Sequence, residues 1–191
     1  MRSLVVWHGA NRWTGAPEVR PQRAGNAEYG PGIYLATGYE TAAKYGRSIM
    51  LFNLRPDINW LEQAVMPLEV AARASAHLFG RTSGSRIAND LTDYARRVAG
   101  RLGSDAIDVS VLVNLAVNER VTSGARGVAF ANFLAEMDIG ASLVHQSNED
   151  WVVVFDPLIV LSERRVTTNE IRAMGFDLPR IAEQYRRLDD A

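Results

Sequence analysis

Trp151-Val-Val-Val-Phe155 places five apolar residues in a row near the C-terminal end of the chain, and its reading decides the fold class. A run this short and this continuous is a strand covered on both faces, because a strand with one wet face alternates apolar and polar residues. Strand pattern surrounds it at 141–147 and 158–166, and two short helices are expected beyond, at 168–174 and 179–189. On the N-terminal side the period changes. Ile87, Leu91, Tyr94, Val98 and Leu102 fall at helical spacing, as do Phe130, Phe133, Leu134 and Met137. Residues 107–117 are apolar nearly all round, the pattern of a buried helix, with Ser104 or Asp105 as its expected N-cap. The stretch 67–138 therefore reads as a block of roughly four helices. Ahead of it, residues 3–8, 32–36 and 48–54 read as strands, with a short helix at 40–45 and a long Gly- and Pro-rich loop over 9–31. Strands, then helices, then strands predict an α+β fold: a mixed β core carrying a helical insertion at about 67–138.

The chain has 191 residues, a length expected to form one domain over 1–191. It has no cysteine, which excludes a disulfide scaffold, a thiol nucleophile and every Cys-ligated metal site. No stretch approaches the ~20 consecutive apolar residues of a membrane-spanning helix, so no membrane partner is expected. The opening MRSLVVWHGANRW lacks the apolar core of a signal peptide, and a cytoplasmic location is the simplest expectation. Lys and Arg total 21 against 22 Asp and Glu, so the whole chain exerts no bulk pull on nucleic acid. Residues 1–60 are nonetheless basic, with seven cationic and four anionic side chains. Lys44 is the only lysine, so the other cationic side chains are arginines, whose planar forks bind phosphate bidentately.

Few residues offer chemistry. The histidines are His8, His77 and His145, none at metal-ligand spacing with another ligand, so no catalytic metal is expected. A G-x-S-x-G, a Walker loop and a G-x-G-x-x-G are all absent. His8 ends an apolar strand and precedes Gly9, a place where backbone can approach a ligand closely. Tyr34 sits at another strand end, inside Gly30-Pro-Gly-Ile-Tyr-Leu-Ala36. Glu149 opens the apolar strand, where a carboxylate is costly unless it stays wet or has a partner. Each of these alone has an ordinary structural explanation.

Together they form a pattern. Trp7-His-Gly9, then Gly32-Ile-Tyr-Leu-Ala36, then Ala42-Ala-Lys-Tyr45, then Asn148-Glu149 before an apolar strand resembles the ADP-ribosyltransferase superfamily. Within it, the chain is similar to the His-Tyr-Glu class of diphtheria toxin and the poly(ADP-ribose) polymerases. The resemblance covers residues 3–54 and 141–156. It implies His8, Tyr34 and Glu149 as the catalytic triad and NAD as the substrate, with His8, Gly9, Tyr34, Ala36 and Tyr45 in the cofactor-binding set. The second tyrosine of the class lies eleven residues after the first, as Tyr45 does after Tyr34. One departure concerns the nicotinamide end: the polymerases carry a serine three residues before that second tyrosine, and here the position is Ala42, beside Thr41.

The chemistry accounts for the residue types. Transfer breaks the nicotinamide–ribose bond through an oxocarbenium-like transition state, so the protein must hold the leaving group, stabilise positive charge and aim a nucleophile. Tyr34 and Tyr45 would sandwich the flat pyridinium. Gly9 would offer its backbone to the carboxamide, His8 would bond a ribose hydroxyl, and Glu149 would stabilise the cation. Arg20 or Arg23 would pair the pyrophosphate. The expected function is NAD-dependent mono-ADP-ribosyl transfer to a protein or nucleic-acid acceptor, by analogy a toxin of a toxin–antitoxin or phage-defence pair with an antitoxin or inhibitor as partner. Two alternatives stay open: an enzyme of the same fold acting on a base or terminal phosphate, and a module that holds NAD or ADP-ribose without turnover.

Overall fold

The computed structural model describes residues 3–13, 15–23, 25–103 and 105–190. In chain order the elements are β1 (Leu4–Ala10), β2 (Ile33–Ala36), α1 (Tyr39–Tyr45), β3 (Ser48–Leu54), β4 (Val65–Pro67), α2 (Leu68–Phe79), α3 (Arg81–Leu102), β5 (Ala106–Asp108), α4 (Val109–Asn118) and α5 (Gly124–Glu136). There follow β6 (Ala141–His145), β7 (Asp150–Val154), β8 (Val160–Arg165), α6 (Thr168–Met174) and α7 (Ile181–Asp189). Six strands form one sheet in the order β6-β7-β2-β1-β3-β8, and β4 and β5 form a separate two-stranded ribbon. The fold is α+β, with the helical block α2–α5 set between the front and back strands.

Strand alternation gives the sheet two apolar faces. Leu4 and Val6 of β1 join Ile33, Leu35, Phe52, Val152 and Val154 in a large core beneath the helical block and α7. Trp7 joins Ile49 and Leu51 in a smaller core under α1 and α6, where Ala42 and Ile171 are buried. Val152, Val153, Val154 and Phe155 are all fully buried, as the continuous apolar character of the run requires. The β6 edge of the sheet is closed by Glu62, whose carboxylate accepts from the Leu143 amide (3.0 Å) and the Ser142 hydroxyl (2.5 Å).

Every ladder in the sheet is antiparallel, where the sequence suggested a mixed core. The reason is connectivity. A parallel pair needs a crossover between neighbours, and the helical block instead links β3 to β6, which lie apart in the sheet. An isolated parallel bridge joins Trp60 to Ala141. A second correction concerns residues 107–117. Their first two residues belong to β5, paired with β4, and α4 begins at Val109. Asp105 is not the cap; its carbonyl accepts from the Leu68 amide (2.7 Å). Ser104 lies outside the described residues. Asp108 occupies the N-cap position, but its carboxylate accepts from the Tyr94 hydroxyl and the Arg101 guanidinium instead.

The helical block also braces the long loop after β1. The Gly124 amide, at the start of α5, donates to the Gln22 carbonyl (2.9 Å). Gly30 sits at φ +109°, where a Cβ would lie 3.0 Å from Val113 of α4. Glycine is required there by both backbone and space. Within the block, Phe130 is fully buried and meets the Phe79 ring edge-on at 4.9 Å. It shares one core with Val154 and Phe155 of the sheet. Phe130→Ala is therefore expected to destabilise the whole chain by ~3–5 kcal/mol. In urea, far-UV circular dichroism, dominated by the helices, and fluorescence of the tryptophans, all outside the block, should shift together. Two separated transitions would make the helices an independent unit.

Candidate functional site

The ladder between β1 and β2 consists of one registered pair, Trp7↔Ala36. Past that pair the two strands line opposite parts of a cleft of about 790 Å³, with His8 and Gly9 from β1 and Ile33 and Tyr34 from β2. This volume is in the range of small-molecule sites. Tyr45 of α1 and Arg23 of the long loop line the same cleft. Next to it is a smaller recess under α1, bordered by Gly9, Tyr34, Ala36, Thr41, Tyr45 and Trp151.

His8 takes over a carbonyl that the ladder leaves unpaired. Its Nδ1 lies 2.9 Å from the Tyr34 carbonyl oxygen. A carbonyl only accepts, so Nδ1 carries the proton and Nε2 is left as an acceptor. Burial pushes this imidazole below the usual histidine range, opposed in part by the bond to Tyr34. The ring is therefore neutral at pH 7, its plane fixed between Trp13 and Phe52, at centroid distances of 5.6 and 5.4 Å.

Tyr34 is fixed at both ends. Its hydroxyl donates to the Gly30 carbonyl (2.8 Å) and accepts from the Tyr29 amide (3.1 Å). Burial raises its phenol well above the ordinary tyrosine value, so it stays protonated. Tyr45, by contrast, is 57% exposed. The two rings border the same cleft and the same recess, one from a strand and one from a helix. Ala36 is buried between Trp7 and Trp151 on the neighbouring strands, and its small side chain keeps the recess open. Gly9 has a packing reason of its own: a Cβ there would sit 1.7 Å from the Ala42 carbonyl oxygen. Only glycine lets α1 lie this close over β1.

Glu149 immediately precedes β7. Its Oε1 accepts from the Thr41 hydroxyl (2.5 Å) and from the Trp151 indole N–H (2.8 Å), both residues of the recess. Its Oε2 lies over Gly38, where a Cβ would come within 2.0 Å of it. The neighbouring Asp150 is entirely different. It is fully buried, and its carboxylate accepts from His145, from Arg180 and from the Ile181 amide. Burial alone would raise its pKa; the bonds from Arg180, His145 and Ile181 outweigh burial and hold it below the usual carboxylate range. Of the two adjacent carboxylates, Glu149 is the one beside the recess.

The fold thus brings His8, Gly9, Tyr34, Tyr45 and Arg23 to one cleft, with Ala36 in the adjoining recess and Glu149 at its wall. Arg20 and Arg23 both line the cleft, Arg20 also meeting Glu18 at 3.2 Å. Sequence reasoning noted Thr41 only as the neighbour of Ala42 and gave no site role to Trp151 or Arg180. Trp151 was legible, since it lies only two residues after Glu149, at the start of the strand that Glu149 precedes. Arg180 is thirty residues from Asp150 and carries no local signal. Among the described residues no cluster has the makings of a metal site, and no helix is long and apolar enough to cross a membrane.

No protein-family model matches the chain, and no curated protein does. Among solved structures, one described as "Crystal structure of an anti-CRISPR protein" aligns with 86% of this chain and 96% of its own, at 15% sequence identity and a TM-score of 0.39.

The Gly9–Ala42 contact yields a test of how the cleft is built. Gly9→Ala should cost ~1–3 kcal/mol in thermal unfolding, the usual penalty of overpacking. Ala42→Gly should not restore the loss, because the colliding atom is backbone. Full restoration would mean that α1 is not held where the structure places it.

Proposed function

We propose that this chain is a mono-ADP-ribosyltransferase with an ADP-ribosyltransferase-like core, which takes NAD as substrate and transfers ADP-ribose to a macromolecular acceptor. The observation that carries the reading is convergence: His8, Gly9, Tyr34 and Tyr45 border one cleft, with Glu149 at the wall of its inner recess. These are the residues that the resemblance to the His-Tyr-Glu class requires, drawn from two strands, one helix and the turn before β7. The volume and the lining, which combines aromatic rings with arginines, suit a dinucleotide.

Each residue has a definite task. Tyr34 and Tyr45 hold the nicotinamide ring by stacking and cation–π attraction. Gly9 leaves its backbone accessible beside them. His8, with Nδ1–H committed to the Tyr34 carbonyl, presents Nε2 as an acceptor for a ribose hydroxyl. Glu149 places negative charge beside the ribose as the glycosidic bond breaks, its electron pair leaving with nicotinamide. The acceptor's nucleophile then bonds to the anomeric carbon and gives up its proton, for which Glu149 is the nearby base. Thr41 and Trp151 hold the carboxylate during this step.

Labelled NAD offered with cell protein, RNA and DNA tests the reading and identifies the acceptor class; no NAD consumption and no label in any fraction would overturn it. Glu149→Gln should fold as the parent and lose transfer by ~100-fold or more, the scale of removing a transition-state charge. Near-parental transfer in that variant would move the catalytic role elsewhere. Tyr45→Ala is the cleaner probe of stacking, because Tyr45 is exposed whereas Tyr34 also supports the turn at Gly30. It should raise KM for NAD more than it lowers kcat, as stacking acts in ground and transition states alike. An unchanged KM would remove Tyr45 from the nicotinamide site.

A further inference from the structure

The turn that carries Glu149 is held from outside itself. Between β6 and β7 the Gln146 amide donates to the Glu149 carbonyl (2.9 Å), leaving Ser147-Asn148 as a two-residue loop. Two-residue loops that match the twist of their strands need left-handed backbone, and neither Ser147 nor Asn148 adopts it. Such a turn splays its strands unless something ties them.

Arg180 is that tie. Its Nη2 donates to the Gln146 carbonyl (2.8 Å), the Glu149 carbonyl (3.2 Å) and Asp150 Oδ1 (2.7 Å), while Nε also reaches Asp150 Oδ1 (3.1 Å). The guanidinium thus spans both sides of the turn. It is anchored in its own right, because Arg180 is the N-cap residue of α7 and the next amide, Ile181, donates to Asp150 Oδ2 (2.8 Å). The helix behind it is fixed to β1: Gln184 accepts from the Val5 amide (2.7 Å) and donates to the Val5 carbonyl (2.9 Å), pairing with that strand's edge as a neighbouring residue would.

We propose that Arg180 is a positioning residue: by tying the Gln146–Glu149 turn to α7, it fixes the backbone from which the Glu149 carboxylate reaches Thr41 and Trp151. The tie is a statement about structure, and only its kinetic consequence rests on the transferase reading. Lysine cannot reproduce it, since a single ammonium lacks the rigid planar fork whose second nitrogen, Nε, also holds Asp150 Oδ1.

The test uses the full chain with Arg180→Lys, and a second variant, Asp150→Asn with Arg180→Gln, which leaves neither charge stranded in the interior. Backbone amide hydrogen exchange over 146–149 should accelerate ~tenfold or more in both variants, while β7 and α7 stay protected. For NAD consumption, Arg180→Lys should lower kcat ~tenfold with KM within about twofold. In the Glu149→Gln background the same change should alter kcat by less than about twofold, because residues acting through one group are not additive. Unchanged exchange at 146–149 in both variants overturns the proposal, as does an equal loss of kcat in the two backgrounds. A loosened turn in a chain whose parent consumes no NAD supports the tie and counts against the transferase reading instead.

Discussion

The interruption of one β-ladder shapes everything else at the site. If β1 and β2 paired along their full length, the Tyr34 carbonyl would be consumed by backbone and the cleft would be closed by hydrogen bonds. Because pairing is confined to Trp7↔Ala36, a carbonyl is left inside the protein and must find a donor. His8 supplies it, and two properties follow at once: the tautomer and the acceptor left at Nε2; burial, against the pull of that bond, keeps the ring neutral. The aromatic walls and the glycine at position 9 are arranged around that opening.

The second constraint is the pair of carboxylates at the start of β7. Successive residues of a strand face opposite ways, so Asp150 and Glu149 meet different surroundings although they are neighbours in sequence. Asp150 is taken out of water and held by a guanidinium, an imidazole and an amide. A buried charge with fewer partners would cost several kcal/mol. Glu149 keeps a shallower position with two donors from the recess. One carboxylate serves as a structural anchor so that the other can be held in place without being buried.

The strands and helices were largely legible because their patterns are strong: the apolar run at 151–155, the spacing in 87–102 and the short apolar runs of β1 and β3 each predict an element that is present. The short ribbon of β4 and β5 was not, since three residues are too few to show a period. The antiparallel order of the sheet was also hidden, because it depends on which strands the helical block connects. At the site, His8, Gly9, Tyr34, Tyr45 and Glu149 stood out through their order along the chain. Thr41 and Arg180 did not, because their importance comes from distant partners, Glu149 and Asp150, that only folding brings close.

The carboxylate of Glu62 on the rim of β6 has a consequence for life at high concentration. An open strand edge is a template on which another chain can grow, and proteins that stay dispersed must spoil it. Here the Leu143 amide, which a foreign strand would seek, is already engaged by a side chain of the same molecule. At the opposite rim, β8 carries Glu163, Arg164 and Arg165 in succession, a sequence of charges that a flat apolar neighbour cannot match. Colloidal stability in this chain is thus placed at the two ends of the sheet, well away from the opening at its middle, so that the cleft can stay broad and open without inviting self-association along the strands.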